Sequence, residues 1–218
     1  VRLGQGTALA LSPNGLWALT SPGSNADHLV LLPTGAGQPR VLPLSRLRIY
    51  GREASFFPDG KRILIRGAEG GIGQTRLYVL ETESGKARSI TPEGISLSGS
   101  FSISPDGKSV IFSDGQGQSL LYDVDGEPPR PVPGLSRGFE AIAWCADGRS
   151  VFVRTSATNP LKVYRLDLAS GRQELWREFS VSDIGAGAIR VIPTPDGKSY
   201  VYGYSRYFSD LFIAEGLK

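Results

Sequence analysis

The sequence predicts an all-β chain assembled from five copies of one four-stranded unit, and three observations carry that prediction. A Ser-Pro-Asp-Gly-like turn recurs, with its glycine at Gly15, Gly60, Gly107, Gly148 and Gly197, at spacings of 41 to 49 residues. Short alternations of apolar and polar residues flank each turn, and period two is that of a half-buried strand. The 28 glycines and 15 prolines are spread along all 218 residues, which marks many turns and short strands rather than a disordered tract. Four-stranded meanders repeating at this period are the signature of a β-propeller.

Residues 100–114 show the local logic of the unit. Phe101 and Ile103 alternate with serines, Pro105-Asp106-Gly107 interrupts the run, and Val110 to Phe112 resume it. Proline presets φ for the first central position of a type I turn, aspartate suits the next, and glycine takes the left-handed position that follows. The product is a hairpin whose glycine bulge lets both strands keep their twist. First strands are expected at 8–11, 54–57, 101–104, 141–144 and 189–192, and second strands at 16–19, 62–65, 110–112, 151–153 and 200–202. Third strands follow at 28–32, 77–80, 119–122, 162–166 and 211–213, and fourth strands at 40–42, 87–90, 130–132 and 173–176.

The five blades then span about 7–44, 50–92, 97–134, 138–179 and 187–217 of a single domain, residues 1–218. The last unit lacks a fourth strand, and residues 1–5 precede the first unit as an orphan strand. Pairing of 1–5 with the last blade is expected to close the ring and remove two open edges. Along the first strands one parity carries Leu9, Leu11, Ala54, Phe56, Phe101, Ile103, Ile142 and Trp144, while the other is small or polar, so that neighbouring sheets interlock. No useful length keeps a helical period.

Bulk properties exclude several functions. The net charge is +3, with Lys and Arg interspersed among acids, so no basic stripe offers itself to nucleic acid. Cys145 is the single cysteine; an intramolecular disulfide is impossible, and its apolar surroundings suit a buried small hydrophobe. No apolar run is long enough to span a membrane, and no signal-peptide pattern occurs. The chain opens on Val1 in mid-pattern and reads as a piece of a longer protein, whose targeting signals or membrane span would lie upstream.

The chemistry-bearing residues are few. His28 is the only histidine, with no second His or Cys to share a metal, and no Gly-x-Ser-x-Gly elbow occurs. The chain is therefore expected to be no enzyme and to hold no metal or cofactor. Asp123-Val-Asp-Gly-Glu127 lacks the ligands of a calcium loop and reads as a type I′ turn at Asp125-Gly126. The glycine-rich stretches 67–73, 114–117 and 185–187 join strand to strand, so no helix N-terminus faces an anion there.

The Ser-Pro-Asp-Gly-Lys-Ser-Val-Ile-Phe run at 104–112, echoed at 57–61 and 194–198, resembles the WD40-like PD40 repeat of TolB-like propellers and of the propellers that cap prolyl-oligopeptidase-type peptidases. Asn14 and Ala146 depart from the motif in the first and fourth units. Residues 204–218 resemble the C-terminus of large bacterial signalling proteins, in which such repeats follow a serine/threonine kinase or winged-helix domain. The resemblance implies a sensor or interaction module outside the cytoplasm, with a TolB-like periplasmic scaffold, the propeller of a peptidase- or lactonase-type enzyme, and a cytoplasmic setting as alternatives.

What remains is a binding surface. The uniform Pro-Asp-Gly turns occupy one face of the ring and read as scaffold, whereas the long, variable loops occupy the other, where function concentrates. Arg48, Tyr50 and Arg52 lie in loop 45–52, Arg137, Phe139 and Glu140 in 134–140, and Arg206 and Tyr207 in 204–210. Glu53 and Arg190 interrupt the small parity of the first strands and belong at the channel mouth. These ten residues are the candidate contacts for a protein or peptide partner, or a small ligand, bound by a monomer.

Overall fold

The computed structural model describes residues 2–23, 26–70, 75–91, 97–114, 116–126, 128–155, 159–182 and 186–206, with side chains described throughout except at 51, 52, 97–100 and 186–188. Five antiparallel sheets follow one another along the chain. The first contains β1 (Thr7–Leu11), β2 (Trp17–Ser21), β3 (His28–Pro33) and β4 (Arg40–Pro43). The second contains β5 (Leu47–Phe56), β6 (Arg62–Glu69), β7 (Arg76–Glu81) and β8 (Ala87–Ser89). The third contains β9 (Leu97–Ile103), β10 (Ser109–Asp114), β11 (Ser119–Asp123) and β12 (Arg130–Pro131). The fourth contains β13 (Phe139–Trp144), β14 (Ser150–Thr155), β15 (Leu161–Asp167) and β16 (Gln173–Phe179). The fifth pairs β17 (Ala186–Pro193) with β18 (Tyr200–Arg206).

The hairpin turns have the geometry their chemistry dictates. The five turn glycines have φ of 71°, 67°, 70°, 64° and 68°, in chain order. Each donates its N–H to the carbonyl three residues back, as Gly107 does to Ser104 at 2.9 Å. The turn aspartates accept the backbone N–H two residues on, which fixes the loop from within: Asp59 from Lys61 at 2.8 Å, Asp106 from Lys108 at 3.0 Å. The Asp123 turn differs from its expected form. Gly126 is not in the left-handed region, and the turn is held instead by the Asp125 N–H donating to the Asp123 carboxylate at 3.1 Å.

Period two distributes the core. Ile63 and Ile65 of β6 face the first sheet, while Leu64 between them faces the third. The same division places Ile111 against the fourth sheet and Val110 and Phe112 against the second, then Phe152 against the fifth and Val151 and Val153 against the third. Four apolar layers result, each between consecutive sheets, and each fully buried Leu, Ile or Phe stabilises by about 1.5–3 kcal/mol. The first strands are neighbours in series: β1 beside β5, β5 beside β9, β9 beside β13, β13 beside β17.

Bulges overturn part of the expected parity. A register shift between Ala141 and Ala143 sends Trp144 to the layer shared with the third sheet and Ile142 to the layer shared with the fifth. One extra residue reverses the facing of everything beyond it. Residues 2–6 form no strand; the expected pairing of 1–5 with the last blade needs Val1 and residues 211–214, which lie outside the described residues.

Candidate functional site

Three of the candidates lie on neighbouring first strands or on strands brought near them. Glu53 comes from β5, Glu140 from β13 and Arg190 from β17, and Glu53 interacts electrostatically with both of the others. Two further arginines, each following the apolar run of a second strand, complete the cluster. Arg66 of β6 sits with Nη2 3.9 Å from Glu53 Oε2, and its Nε donates to the Tyr50 carbonyl at 3.4 Å. Arg154 of β14 donates to Glu140 Oε2 through Nε at 3.0 Å and Nη2 at 2.6 Å. Its Nη1 donates to the Ile189 carbonyl at 3.3 Å, which ties the fifth sheet to the fourth.

Two members of this cluster are incompletely satisfied. Glu53 Oε2 is buried without a hydrogen bond, and the guanidinium of the exposed Arg190 makes no hydrogen bond or salt bridge among the described residues. Burial raises the Glu53 pKa and Glu140 adds to that, while Arg66 and Arg190 oppose it; the net direction is upward. A carboxylate held at a cost beside a free guanidinium is an arrangement that ligand-binding sites use.

The other candidates are more scattered. Arg48 and Tyr50 lie within β5 rather than in a loop, because the strand begins at Leu47 and bulges between Ile49 and Ala54. Arg48 is half-buried and donates to the Leu47 and Ser45 carbonyls at 3.2 and 3.4 Å, so its guanidinium is tied to its own segment. Arg137 is exposed and lines a cleft of about 210 Å³ between the third and fourth sheets, with Gln116, Gln118 and Phe139. Phe139 also packs edge-on against Tyr164 at 5.7 Å, a structural contact. Arg206 ends β18 instead of lying in a loop. The Arg52 side chain and Tyr207 lie outside the described residues.

The remaining chemical candidates have local explanations. His28 Nδ1 is 2.7 Å from Asp27 Oδ1, and that hydrogen bond lowers the Asp27 pKa. No serine hydroxyl is bonded to His28 among the described residues. Burial pushes the Cys145 thiol up to about 11, the opposite of an activated nucleophile. Arg66 and Arg154 carried a legible signal, since each is a cation directly after the apolar run of a second strand, Ile63-Leu-Ile65 and Val151-Phe-Val153. Their carboxylate partners, Glu53 and Glu140, were themselves candidates, but the pairings left no trace in the sequence.

No protein-family model and no curated protein matches the chain. Solved structures do. TolB from Acinetobacter baumannii aligns with a TM-score of 0.62 at 19% identity, over 91% of this chain and 54% of that one. The fold is TolB-like. A putative TolB from Agrobacterium tumefaciens aligns with a TM-score of 0.67 at 21% identity, over 92% of this chain and 70% of that one. The chain thus spans about half the length of the first of these TolB-like neighbours. Serial antiparallel sheets, each opening on a Pro-Asp-Gly-like hairpin between its first two strands, are accordingly consistent with a β-propeller fold. No helix among the described residues is long and apolar enough to cross a membrane.

Proposed function

We propose that this chain is a non-catalytic, TolB-like interaction scaffold that holds a protein or peptide segment at the loop-side mouth of its channel. One observation carries the reading: three sheets bring Glu53, Arg66, Glu140, Arg154 and Arg190 together, and leave Glu53 Oε2 and the Arg190 guanidinium without hydrogen-bond partners among the described residues. The Glu53 carboxylate, 3.9 Å from Arg66 but without a hydrogen bond, and the exposed Arg190 guanidinium together favour a segment that presents both an N–H donor and a carboxylate, and discriminate against one that leaves either charge desolvated and alone.

The TolB-like neighbours support a scaffold outside the cytoplasm better than they support a sensor at the end of a kinase or winged-helix protein. On this reading the five sheets are five blades, residues 1–5 close the ring against the last, and the unit acts as a monomer without cofactor. Selection of a phage-displayed random peptide library on the protein tests the proposal. Recovered peptides should lose binding to Glu53→Lys and Arg190→Glu variants and keep it with Lys86→Glu, a change at an outer turn. Full retention by both channel variants would contradict it, as would ester, lactone or peptide hydrolysis abolished by His28→Ala.

A further inference from the structure

The third and fourth sheets leave a cleft on the loop side that the channel cluster does not use. It holds about 210 Å³, between the β10–β11 hairpin and the segment leading from β12 into β13. Sites for drug-sized ligands run to roughly 300–1,000 Å³, so this cleft suits a single residue. Three kinds of chemistry line that small space. Pro131, Leu135 and Phe139 make part of the wall apolar, and Phe139 is held in place by its edge-on contact with Tyr164 at 5.7 Å. Gln116 and Gln118 supply two primary amides, and Arg137 supplies a guanidinium.

None of the three polar side chains is spent on the fold. Among the described residues the side chains of Gln116, Gln118 and Arg137 make no hydrogen bond, and Arg137 makes no salt bridge. The hairpin is shaped by its backbone instead: Asp114 Oδ1 accepts the N–H of Gln116 at 2.9 Å and that of Gln118 at 2.8 Å. Asp114 thus turns its carboxylate to the hairpin's own N–H groups and does not line the cleft. No other Asp or Glu lines it, and Arg137 is the one charge among its lining residues. A lone exposed guanidinium is ordinary protein surface. This one shares a walled cleft with two unspent amides and an anchored ring.

A guanidinium matches a carboxylate through two parallel N–H donors. A primary amide offers both a donor and an acceptor, which is what a peptide group requires. The C-terminal residue of a peptide presents a carboxylate, a peptide group and an apolar side chain within the space of one residue. We propose that the cleft captures a free peptide C-terminus that ends in an apolar residue. The carboxylate pairs with Arg137, the last peptide group lies between Gln116 and Gln118, and the side chain rests against Leu135 and Phe139. Capture of chain termini is a recurrent mode of peptide recognition. An internal Asp or Glu carries the carboxylate without an apolar group on the same residue, and leaves the wall uncovered. The site shares no residue with the Glu53 and Arg190 cluster, so either can fail while the other stands.

The probe is acetyl-Gly-Leu with a free carboxylate, titrated against isotope-labelled protein. The readout is the side-chain amide resonances of Gln116 and Gln118 and the backbone amides of Gly117 and Gly138, which line the same cleft. Saturable shifts at these groups with a millimolar Kd are expected from so small a ligand. Acetyl-Gly-Leu-amide and acetate should each bind about tenfold more weakly, the scale of losing one hydrogen-bonded charge or the apolar contact. Arg137→Ala should also weaken binding about tenfold, and Arg137→Lys less, because lysine keeps the charge without the fork. Gln118→Glu, which sets a like charge beside the carboxylate, should weaken it severalfold. Arg137 and Gln118 are both exposed, so the fold should persist, as unchanged resonances elsewhere would verify. Glu53→Lys and Arg190→Glu should leave the titration unchanged, and a loss there would assign the shifts to the channel cluster and overturn the proposal. Equal binding of the acid and its amide, or of acetate and acetyl-Gly-Leu, would overturn it as well. So would a titration that survives Arg137→Ala, or no shift at tens of millimolar probe.

Discussion

Replacing Glu140 by alanine tests how strongly the cross-strand Glu140–Arg154 pair holds the first two strands of the fourth sheet. Glu140 and Arg154 side chains are 21% and 26% exposed, between the surface and buried extremes. Exposed pairs contribute roughly 0–1 kcal/mol, and breaking a buried pair from one side costs roughly 3–5 kcal/mol. Two N–H donors share Glu140 Oε2, at 3.0 and 2.6 Å, and intermediate burial places Glu140→Ala near 2 kcal/mol, an order-of-magnitude figure of about that size. Arg154→Ala loses the same pair and also the bond to the Ile189 carbonyl, so it should cost somewhat more and speed amide exchange along β17. The double variant should cost less than the sum, with a coupling of about 1–1.5 kcal/mol. Urea unfolding with unchanged m-values measures all three. A coupling below about 0.3 kcal/mol would show that the two charges are not held together, and would refute the reasoning.

Further outcomes follow from the same geometry. Gly107→Ala should destabilise by roughly 1–2 kcal/mol, because φ is 70° and a Cβ would lie 3.4 Å from Pro58 Cδ; Gly23→Ala, in open space, should stay within about 0.5 kcal/mol in the same unfolding assay. Glu53→Gln should be at least as stable as the parent at pH 7. Its raised pKa means the folded state binds the proton more tightly, so the parent loses stability as pH rises above 4.5 through the folded value, and the glutamine variant should lack that slope in denaturation measured between pH 4 and 8. Asp147 has the opposite sign. Burial raises its pKa, but hydrogen bonds from Arg149 and Ser150 N–H, Arg165 and the Ser150 hydroxyl bring it down to about 2; its contribution, present above 3.8, should disappear as pH falls toward 2, and Asp147→Asn should flatten that acid limb.

The hairpins were legible because their chemistry is local: a proline, an aspartate and a left-handed glycine determine the turn without help from the rest of the chain. Core facing was legible for the same reason at Ile63, Leu64 and Ile65, where alternation alone decides which layer each side chain enters. It failed at Ile142, where a bulge that leaves no compositional trace reverses the parity. Strand ends were the least legible, since Arg48 and Arg206 are polar residues extended by pairing with β6 and β17 rather than by their own preference. Glu53 and Arg190 stood out as charges on small-faced strands and Glu140 as a residue of a variable loop, whereas Arg66 and Arg154 matter only through their partners on neighbouring strands. The hairpin face read as scaffold because its repeats agree.

Hydrogen exchange in the presence of a library-selected peptide tests the central claim most directly. The account predicts new amide protection in β5, β13 and β17 around Glu53, Glu140 and Arg190. Protection confined to the outer strands β4, β8 and β16, with the channel strands unchanged, would contradict it.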